Sequence, residues 1–440
     1  MTKTDLIIIG AGPGGYRTAE LAARRGMQVI VFEAAEAGGT CLNCGCIPTK
    51  TLCHDAESPL LVDGSYDDNA RLFSQAVARK QQVVETLRQG VETLMQQPGI
   101  TFVKSKATFA DSHTIIADGE EYTADNIIIA TGSRSKTPPI QGIDSPCVVS
   151  STELLETDTL PHSLCIVGAG VIGMEFASIF NAFGTKVTVV EFLKECLPAI
   201  DSDIAKRLRK QLEKRGVEFF MQAAVKSIDG NKVCFERKGK ESAVEADTIL
   251  IATGRAANVE GLQLEKAGID YGRQGIVVDD NMQTNVPHIY AIGDVNGRQM
   301  LAHAATFQGI RALNAIQGKT DNIRLDIMPA AVFTQPEVAS VGLTEDICKE
   351  QVADYTCHKG YYRSNGKALA VDAADGIVKI LTDNAGKIIG AHVMGAHAAD
   401  IVQELSALMN VDITLSRLAD MVHIHPTLSE IVQDIAIAAS

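Results

Sequence analysis

The sequence predicts an α/β protein in which two similar βαβ domains are followed by a third domain of α+β type. Two stretches, DLIIIGAGPGG (5–15) and SLCIVGAGVIG (163–173), each consist of a short apolar run that opens into a glycine-rich turn. Short apolar runs of this kind are typical of buried parallel strands. After about residue 325 the pattern changes to alternating segments such as GIVKILTD and KIIGAHVMG, which indicate an antiparallel sheet.

The elements after the two glycine turns also repeat in order. Helical patterns follow at 16–26 and 174–184, second strands at 27–33 and 185–191, and later strands ending in a glycine turn at 126–134 and 248–256. Another helical pattern covers 67–97, the prolines within 133–162 predict a linker, and the tail from about 398 is helical in pattern. We therefore predict domains at residues 1–142, 143–265 and 326–440, with a central region at 266–325 that returns to the first domain.

Composition narrows the function classes. The 440 residues carry a formal net charge of −14, which argues against nucleic acid and anionic membranes as partners. No apolar run approaches the roughly 18–20 residues that a membrane helix needs, and no secretion signal is visible at the start. The 10 cysteines are scattered, so we expect most of them to be reduced and the protein to be cytoplasmic.

Both glycine turns match the G-x-G-x-x-G pattern of a Rossmann-like dinucleotide site. The first glycine makes a tight turn, the second allows the backbone to approach a pyrophosphate, and the third lets helix and strand pack closely. In both copies an acidic residue follows the last glycine by 18 positions, where it can bind a ribose hydroxyl. The residues are Gly10, Gly12, Gly15 and Glu33 in the first copy, and Gly168, Gly170, Gly173 and Glu191 in the second. The alternative is two buried strand–helix turns without a ligand, but pattern, context and spacing repeat together.

Two dinucleotide sites in one chain predict FAD together with NAD. The run FLK follows Glu191, so the sequence lacks at this point the arginine that an NADP site would use for the 2′-phosphate. The segment TNVPHIYAIGDV (284–295) ends a predicted strand in Gly293 and Asp294. A carboxylate there can accept a hydrogen bond from a ribityl hydroxyl of FAD, although an Asp at a strand end is also a common helix cap.

Residues 38–50 read GGTCLNCGCIPTK and place Cys41, Cys44 and Cys46 close together. A zinc site would need a second pair of ligands at suitable spacing, and the sequence shows none. Three small buried thiols without chemistry are a second alternative. A redox pair beside a flavin is the third.

Backbone geometry leaves the pairing of these cysteines open. In a regular helix, residues three apart lie roughly 5 Å apart at Cα and residues five apart roughly 8.6 Å. A disulfide requires about 4.4–6.8 Å, which favours Cys41–Cys44. Gly45 can adopt a positive φ and Pro48 disfavours helix at the preceding residue, so we expect the segment to be distorted.

The motif GGTCLNCGCIPTK resembles the GGTCLNxGCIPxK signature of the class I flavin (pyridine nucleotide) disulfide oxidoreductases. The similarity covers the whole chain through both glycine patterns, both ATG turns, YAIGDV, MLAHAA (300–305) and HIHPTLSE (423–430), and within the family it is strongest to the dihydrolipoyl dehydrogenases. In that family the redox pair has four intervening residues, which implies Cys41 and Cys46 here. Cys44 departs from the pattern, because the family usually has a small apolar residue there, and a third thiol so close could permit disulfide exchange.

The resemblance implies further site residues. His425 and Glu430 would be the acid–base pair, acting on the disulfide of the other subunit of a homodimer. The base is needed to form the attacking thiolate, because a thiol with a pKa near 8.5 is mostly protonated at neutral pH. We expect the His425 side chain to be buried against the Glu430 carboxylate. Lys50 and Glu175 would form an ion pair near the flavin. The other residues implied in cofactor binding are Gly14, Gly39, Thr40, Thr131, Gly132, Gly254, Gly293, Asp294, Leu301, Ala302 and His303, and none is assigned to a metal.

The implied activity is oxidation of dihydrolipoamide by NAD⁺ through the Cys41–Cys46 disulfide and FAD. The implied partner is the lipoyl domain of a 2-oxo acid dehydrogenase complex. A glutathione-reductase-like enzyme would favour an arginine near Glu191, and a mercuric-reductase-like enzyme would need cysteines beyond Cys357, the last in the chain. An alternative from a different functional class is a flavin-bound redox sensor that does not turn over a substrate. Ala304 replaces a lysine that relatives often have, which affects finer tuning of the flavin.

Overall fold

The first part of the chain forms a mainly parallel sheet with helices around it. The computed structural model describes residues 2–61, 65–352 and 354–440. The elements are β1 (Thr2–Ile9), α1 (Pro13–Arg24), β2 (Val29–Phe32), α2 (Gly39–Cys44), α3 (Cys46–Asp55), a 3-10 turn (Pro59–Leu61), α4 (Tyr66–Met95), β3 (Ile100–Val103), β4 (Thr108–Phe109), β5 (Thr114–Ala117), β6 (Glu120–Ile129) and β7 (Ser133–Ser135). The strand order is β3-β2-β1-β6-β5-β4, and β1 runs parallel to both β2 and β6. The carboxyl ends of β1 and β6 therefore meet at one edge, beside the first glycine turn.

The second part repeats this arrangement, as the sequence predicts. It contains β8 (Val148–Val149), α5 (Ser151–Glu156), β9 (Ser163–Val167), α6 (Val171–Ala182), β10 (Lys186–Glu191), α7 (Ser202–Lys214), β11 (Glu218–Met221), β12 (Ala223–Asp229), β13 (Lys232–Arg237), β14 (Lys240–Glu245) and β15 (Thr248–Ile251). The parallel order β11-β10-β9-β15-β8 matches the order of the first sheet. The antiparallel sheet β12-β13-β14 was not predicted, because its third strand is largely exposed and polar and so lacks a clear apolar alternation.

The chain then returns to the first sheet. Its elements are β16 (Arg255–Ala257), a 3-10 turn (Leu264–Ala267), β17 (Tyr271–Gly272), β18 (Gly275–Ile276), β19 (Ile289–Ala291), a 3-10 turn (Gly293–Asn296) and α8 (Ala302–Ile316). Strand β19 pairs in parallel with β6, and β16 pairs antiparallel with β7. Helices α1 and α8 share one hydrophobic cluster with β1. The region after residue 254 thus completes the site at the edge of the first sheet.

The last part is a separate α+β unit with its own hydrophobic core. It contains β20 (Ala330–Val332), β21 (Val338–Gly342), α9 (Glu345–Gln351), β22 (Tyr355–Tyr361), a 3-10 turn (Tyr362–Ser364), α10 (Gly366–Ala370), β23 (Ile377–Asp383), β24 (Ile388–Met394), α11 (Ala398–Asn410), α12 (Leu415–Ala419) and α13 (Glu430–Ala439). The sheet order β20-β21-β24-β23-β22 is antiparallel throughout. The fold class predicted from the sequence is confirmed, whereas the domain limits at 142, 265 and 325 stay predictions.

The predicted linker at 133–162 was only partly right. It contains β7, β8 and the short helix α5, which begins with a reciprocal capping box between Ser150 and Glu153. All of its prolines lie outside these elements. Among the described residues, no helix is both long and apolar enough to cross a membrane.

A buried ion pair joins the second domain to the last one. The Lys379 ammonium in β23 lies 2.8 Å from both carboxylate oxygens of Asp201, and each side chain is 1% exposed. Glu345 contacts the same ammonium at 2.5 Å. Removing one partner leaves an uncompensated buried charge, so we expect Lys379→Met to lower the free energy of unfolding by roughly 3 kcal/mol or more.

Denaturant titration of the flavin-loaded protein checks this prediction. The matched control is Lys226→Met, which removes a solvent-exposed ion pair with Glu236 and should leave the free energy of unfolding within about 0.5 kcal/mol of the parent value. A Lys379→Met variant as stable as the parent chain would contradict the prediction.

Candidate active site

The two glycine turns have almost the same backbone geometry. The first glycines, Gly10 and Gly168, have φ values of 107° and 108°, a region that L side chains rarely adopt. The third glycines, Gly15 and Gly173, lie where a Cβ atom would be 1.8 and 2.1 Å from the carbonyl oxygen of the first. Each helix begins directly after the second glycine, at Pro13 and at Val171, three residues earlier than the helical pattern predicts.

The second glycines, Gly12 and Gly170, border open space. A Cβ atom on Gly12 would approach nothing closer than 3.9 Å, and one on Gly170 would meet nothing within 4 Å. Both glycines line one continuous cavity of about 1540 Å³, at the N-termini of α1 and α6. Free backbone N–H groups at such helix starts bind a pyrophosphate, so both turns fit the dinucleotides predicted from the sequence.

The two acidic residues stand where the spacing predicts. Glu33 follows β2 and accepts hydrogen bonds from the backbone N–H groups of Ala11 (2.7 Å) and Ala35 (2.9 Å). Glu191 ends β10 and accepts from Ala169 (2.5 Å) and Leu193 (2.7 Å). Both carboxylates line the cavity and retain acceptor capacity for a ribose diol.

Gly45 interrupts the helix that carries the cysteines. Helix α2 ends at Cys44 and α3 begins at Cys46, with Gly45 between them at φ −143° and ψ −110°. The distortion is confirmed, but its predicted causes are wrong. Gly45 does not use a positive φ, and a Cβ atom there would lie 2.8 Å from the Thr40 carbonyl oxygen, so close approach demands glycine. Pro48 lies in the first turn of α3, where its missing N–H costs nothing.

The kink brings the thiols of Cys41 and Cys46 into hydrogen-bonding contact. The hydrogen bond donated by Cys41, together with the charge of Lys50, lowers the pKa of Cys46 to about 7 in spite of burial. The same contact and burial raise the pKa of Cys41. In the dithiol form Cys46 is therefore the thiol that ionises first, and Cys41 is the protonated donor.

The half-buried Lys50 forms an ion pair with the buried Glu175 beside these cysteines. The Lys50 ammonium lies 2.9 Å from both carboxylate oxygens of Glu175, which also accepts a hydrogen bond of 2.9 Å from the backbone N–H of Phe333. Burial lowers the pKa of Lys50, but the charge and hydrogen bond of Glu175 outweigh it, so the net shift is upward. Lys50 thus remains a cation facing the cavity.

The pKa of Cys46 gives a testable pH dependence. In the reduced protein we expect alkylation of Cys46 by iodoacetamide to rise with pH around a midpoint near 7, below the value of about 8.5 for an ordinary thiol. Lys50→Met should move this midpoint upward, because the thiolate loses its nearest cation. Mass spectrometry of residues 26–50 measures the label, and Lys226→Met, which removes a surface ion pair with Glu236, is the control. An unchanged midpoint in Lys50→Met would contradict the assignment.

His425 and Glu430 lie together, at the start of α13. The His425 ring Nδ1 is 2.8 Å from a Glu430 carboxylate oxygen, and the other oxygen accepts the backbone N–H of Thr427 at 2.8 Å. These contacts hold the pKa of Glu430 below its ordinary value. The prediction that the histidine is buried is wrong for the single chain, in which the His425 side chain is 82% exposed. The pair does not line the cavity that contains the cysteines.

Asp294 belongs to a polar network that sequence reasoning missed. It accepts a hydrogen bond from the Ser133 hydroxyl, and the Arg255 guanidinium donates to that hydroxyl at 2.7 Å. Arg255 also lies 4.0 Å from Asp294. Ser133 and Arg255 directly follow the two Ala-Thr-Gly turns at 130–132 and 252–254. Their equivalent positions in the two repeats are the sequence signal that could have identified both residues as part of the site.

The remaining predicted cofactor residues fall into two groups. Those lining the cavity are Gly14, Gly39, Thr40, Thr131, Gly132, Gly254, Gly293, Leu301 and Ala302. His303 lies at the start of α8 outside the lining, with its ring Nε2 2.8 Å from the carbonyl oxygen of Pro329. In the part of the chain that the structure describes, no group of three or more His, Cys, Asp or Glu side chains could hold a metal ion.

Comparison with known protein families gives two adjoining matches. Residues 4–309 match the model of the pyridine nucleotide-disulphide oxidoreductases, and residues 328–436 match the model of their dimerisation domain. Together these matches cover most of the chain.

Individual relatives match over nearly the full length. A dihydrolipoyl dehydrogenase of Mycobacterium bovis is 39% identical, over 99% of this chain and 97% of its own length. The mitochondrial dihydrolipoyl dehydrogenase 1 of Arabidopsis thaliana is 37% identical, over 99% and 90%. A solved structure of the HOCl-induced flavoprotein disulfide reductase RclA from Escherichia coli, in complex with Cu(II), is 32% identical with a TM-score of 0.90, over 100% of both chains.

Proposed function

The chain belongs to the pyridine nucleotide-disulphide oxidoreductase family, and from that premise we propose that it oxidises dihydrolipoamide with NAD⁺ through a Cys41–Cys46 disulfide. The cofactors of this family are FAD and NAD(P), and the residues around both glycine turns fit two dinucleotides. The observation that carries the proposal is the contact between Cys41 and the Cys46 thiolate, beside the Lys50–Glu175 pair, in the cavity that both glycine turns share.

The first half of the proposed reaction is a thiol–disulfide exchange. His425 takes the proton of one substrate thiol, and the resulting thiolate attacks the sulfur of Cys41. The Cys41–Cys46 bond breaks, and Cys46 leaves as a thiolate that Lys50 stabilises. The second substrate thiol then attacks the substrate sulfur bound to Cys41 and gives its proton to the departing Cys41 sulfur. The oxidised substrate is released, both cysteines are reduced, and His425 passes the first proton to solvent.

The second half returns the site to its oxidised form. When bound, FAD links the reduced cysteine pair to NAD⁺ as a carrier of two electrons. Lys50, which stays a cation, favours negative charge in the cavity, and Asp294 with Ser133 and Arg255 presents polar groups to the bound cofactor. Glu191 would bind the ribose of NAD.

A homodimer with shared sites accounts for the exposed histidine. His425 and Glu430 lie within the matched dimerisation domain, away from the cysteine cavity of their own chain. The neighbouring Val422 and Ile424 are 96% and 78% exposed, as expected for side chains that a second copy covers. We propose that each chain supplies the base for the disulfide of its partner.

A second candidate is a flavoprotein reductase that acts on another disulfide or on a metal ion. The observation in its favour is the full-length likeness to the E. coli reductase solved with Cu(II), together with the extra thiol of Cys44 in the cavity. Steady-state assays with lipoamide and NADH, glutathione disulfide and NADPH, and Cu(II) and NADH separate the candidates. Turnover of neither lipoamide nor dihydrolipoamide by flavin-loaded protein would overturn the first proposal.

The Glu191 environment predicts the nicotinamide preference. We expect kcat/KM for NADH to exceed that for NADPH by about a hundredfold or more, since a 2′-phosphate would meet a carboxylate held by two backbone N–H groups. Steady-state kinetics with NADH and with NADPH measures this preference. Equal kcat/KM values for the two nucleotides would contradict the role of Glu191. The proposed cytoplasmic location rests on the scattered cysteines, most of which we expect to be reduced.

A further inference from the structure

The third cysteine of the motif lies within reach of the redox pair. Cys44 is the last residue of α2 and follows Cys41 by three positions in the same six-residue helix. It is half-buried and lines the same cavity as Cys41 and Cys46. Cys44 is therefore in the active-site cavity, although the proposed reaction makes no use of it.

Helix geometry makes a Cys41–Cys44 bond feasible. Residues three apart in a helix lie roughly 5 Å apart at Cα, inside the range of about 4.4–6.8 Å that disulfides adopt. The kink at Gly45 brings Cys46 into contact with Cys41. Cys41 thus has two possible partners, one along its own helix and one across the kink.

We propose that Cys44 is a third redox residue that exchanges with Cys46 for the bond to Cys41. The step rests on the proposed function, because it begins from the Cys41–Cys46 disulfide. The Cys44 thiol loses its proton to solvent, and its sulfur attacks the sulfur of Cys41. A Cys41–Cys44 bond forms, the Cys41–Cys46 bond breaks, and Cys46 receives the electron pair as a thiolate. No net oxidation occurs, so the step needs no external oxidant or reductant.

The surroundings of Cys46 favour it as the group that leaves. A thiol of lower pKa leaves faster in thiol–disulfide exchange, and Lys50 stabilises the Cys46 thiolate. Cys53 is a useful contrast, because burial raises the pKa of this α3 thiol to about 12 and keeps it protonated.

The exchange would regulate the site. In the Cys41–Cys44 form, the sulfur that meets the substrate is no longer bonded to the cysteine held beside Lys50. A substrate thiolate that attacks Cys41 of this form expels Cys44 instead of Cys46, the thiolate that Lys50 stabilises. Reduction of either form gives the same protein with three free thiols, so the exchange would change the rate of the first half-reaction and not its product.

Localising the single free thiol of the motif tests the proposal. Cys41, Cys44 and Cys46 all lie in the tryptic peptide 26–50, which contains no internal Lys or Arg. Oxidised, flavin-loaded protein is quenched in acid, denatured and labelled with N-ethylmaleimide, then reduced and labelled with iodoacetamide. Tandem mass spectrometry shows which cysteine carries the first label.

We expect the first label on Cys44 in part of the sample and on Cys46 in at least about one molecule in ten. The Cys46 fraction should increase with pH, because the charge of the neighbouring Lys50 favours the Cys46 thiolate. Fewer than about one molecule in twenty with the label on Cys46, at every pH from about 6 to 9, would overturn the proposal.

Two variants serve as controls. Cys44→Ser should leave no free thiol in the oxidised peptide, and Cys53→Ser should reproduce the parent labelling. The absorbance spectrum of the oxidised holoprotein is an independent measurement. In the Cys41–Cys44 form, a Cys46 thiolate beside FAD would give a long-wavelength band. The Cys44→Ser variant cannot adopt this form and should lack the band. If the Cys46→Ser variant kept full turnover, that result would contradict the proposed function itself. The labelling pattern tests only the exchange between Cys44 and Cys46.

Discussion

Replacing Cys46 with serine is expected to lower NADH-linked reduction of lipoamide by roughly 10⁴-fold or more. The hydroxyl of serine cannot form the disulfide with Cys41, and it is not ionised at neutral pH, so the anion that Lys50 stabilises disappears. Serine occupies almost the same volume as cysteine, and the half-buried position should tolerate it without loss of the fold. Steady-state kinetics of flavin-loaded protein measures the effect.

Cys53→Ser is the matched control for this substitution. Cys53 is also half-buried, lies on the same helix α3, and is one of the thiols near Glu175. Because its thiol stays protonated, we expect turnover within about twofold of the parent protein. If Cys46→Ser and Cys53→Ser had similar activities, the assignment of Cys46 to the redox pair would be wrong.

His425→Gln should lower the turnover of dihydrolipoamide by about 10²–10⁴-fold, the usual contribution of a general base. Glutamine can still donate a hydrogen bond to Glu430 but cannot take a proton from the substrate thiol. Glu430 should stay ionised throughout the assay range, because its pKa lies below the ordinary value of about 4.3. Any loss of rate between about pH 5 and 8 therefore does not come from protonation of Glu430.

His397→Gln provides the comparison for the base. His397 is another exposed histidine of the last domain, with its ring Nδ1 3.3 Å from Asp400. We expect this variant to keep the parent activity. Mixing His425→Gln chains with Cys46→Ser chains tests the shared site, because a hybrid dimer would recover one intact pair of a base and a disulfide. Absence of any recovery in verified hybrids would argue against a base supplied by the partner chain.

Local sequence signals predicted the nucleotide domains well. The glycine patterns, the apolar strands and the acidic residues 18 positions later are fixed by short-range requirements of the backbone and of strand burial. The structure therefore has Gly10, Glu33, Gly168 and Glu191 at the predicted positions in the fold. The exposed strand β14 was missed because it lacks an apolar alternation and is held by pairing with β13. The short helix α5 was missed although the S-x-x-E pattern at 150–153 marks its capping box.

The sequence by itself determined the α/β class, the duplicated dinucleotide turns and the identity of the thiols, because each depends on residues close together in the chain. The structure decided which thiols meet, because Gly45 interrupts the helix between Cys44 and Cys46 in a conformation that residue spacing left open, and the nearby Thr40 carbonyl oxygen excludes a side chain there. It also decided the charge of the site. Lys50 and Glu175 are 125 positions apart and approach each other only when α3 packs against α6. The hydrogen bond from Cys41 and the charge of Lys50 together lower the pKa of Cys46, so a local contact and long-range packing both distinguish this cysteine from the others.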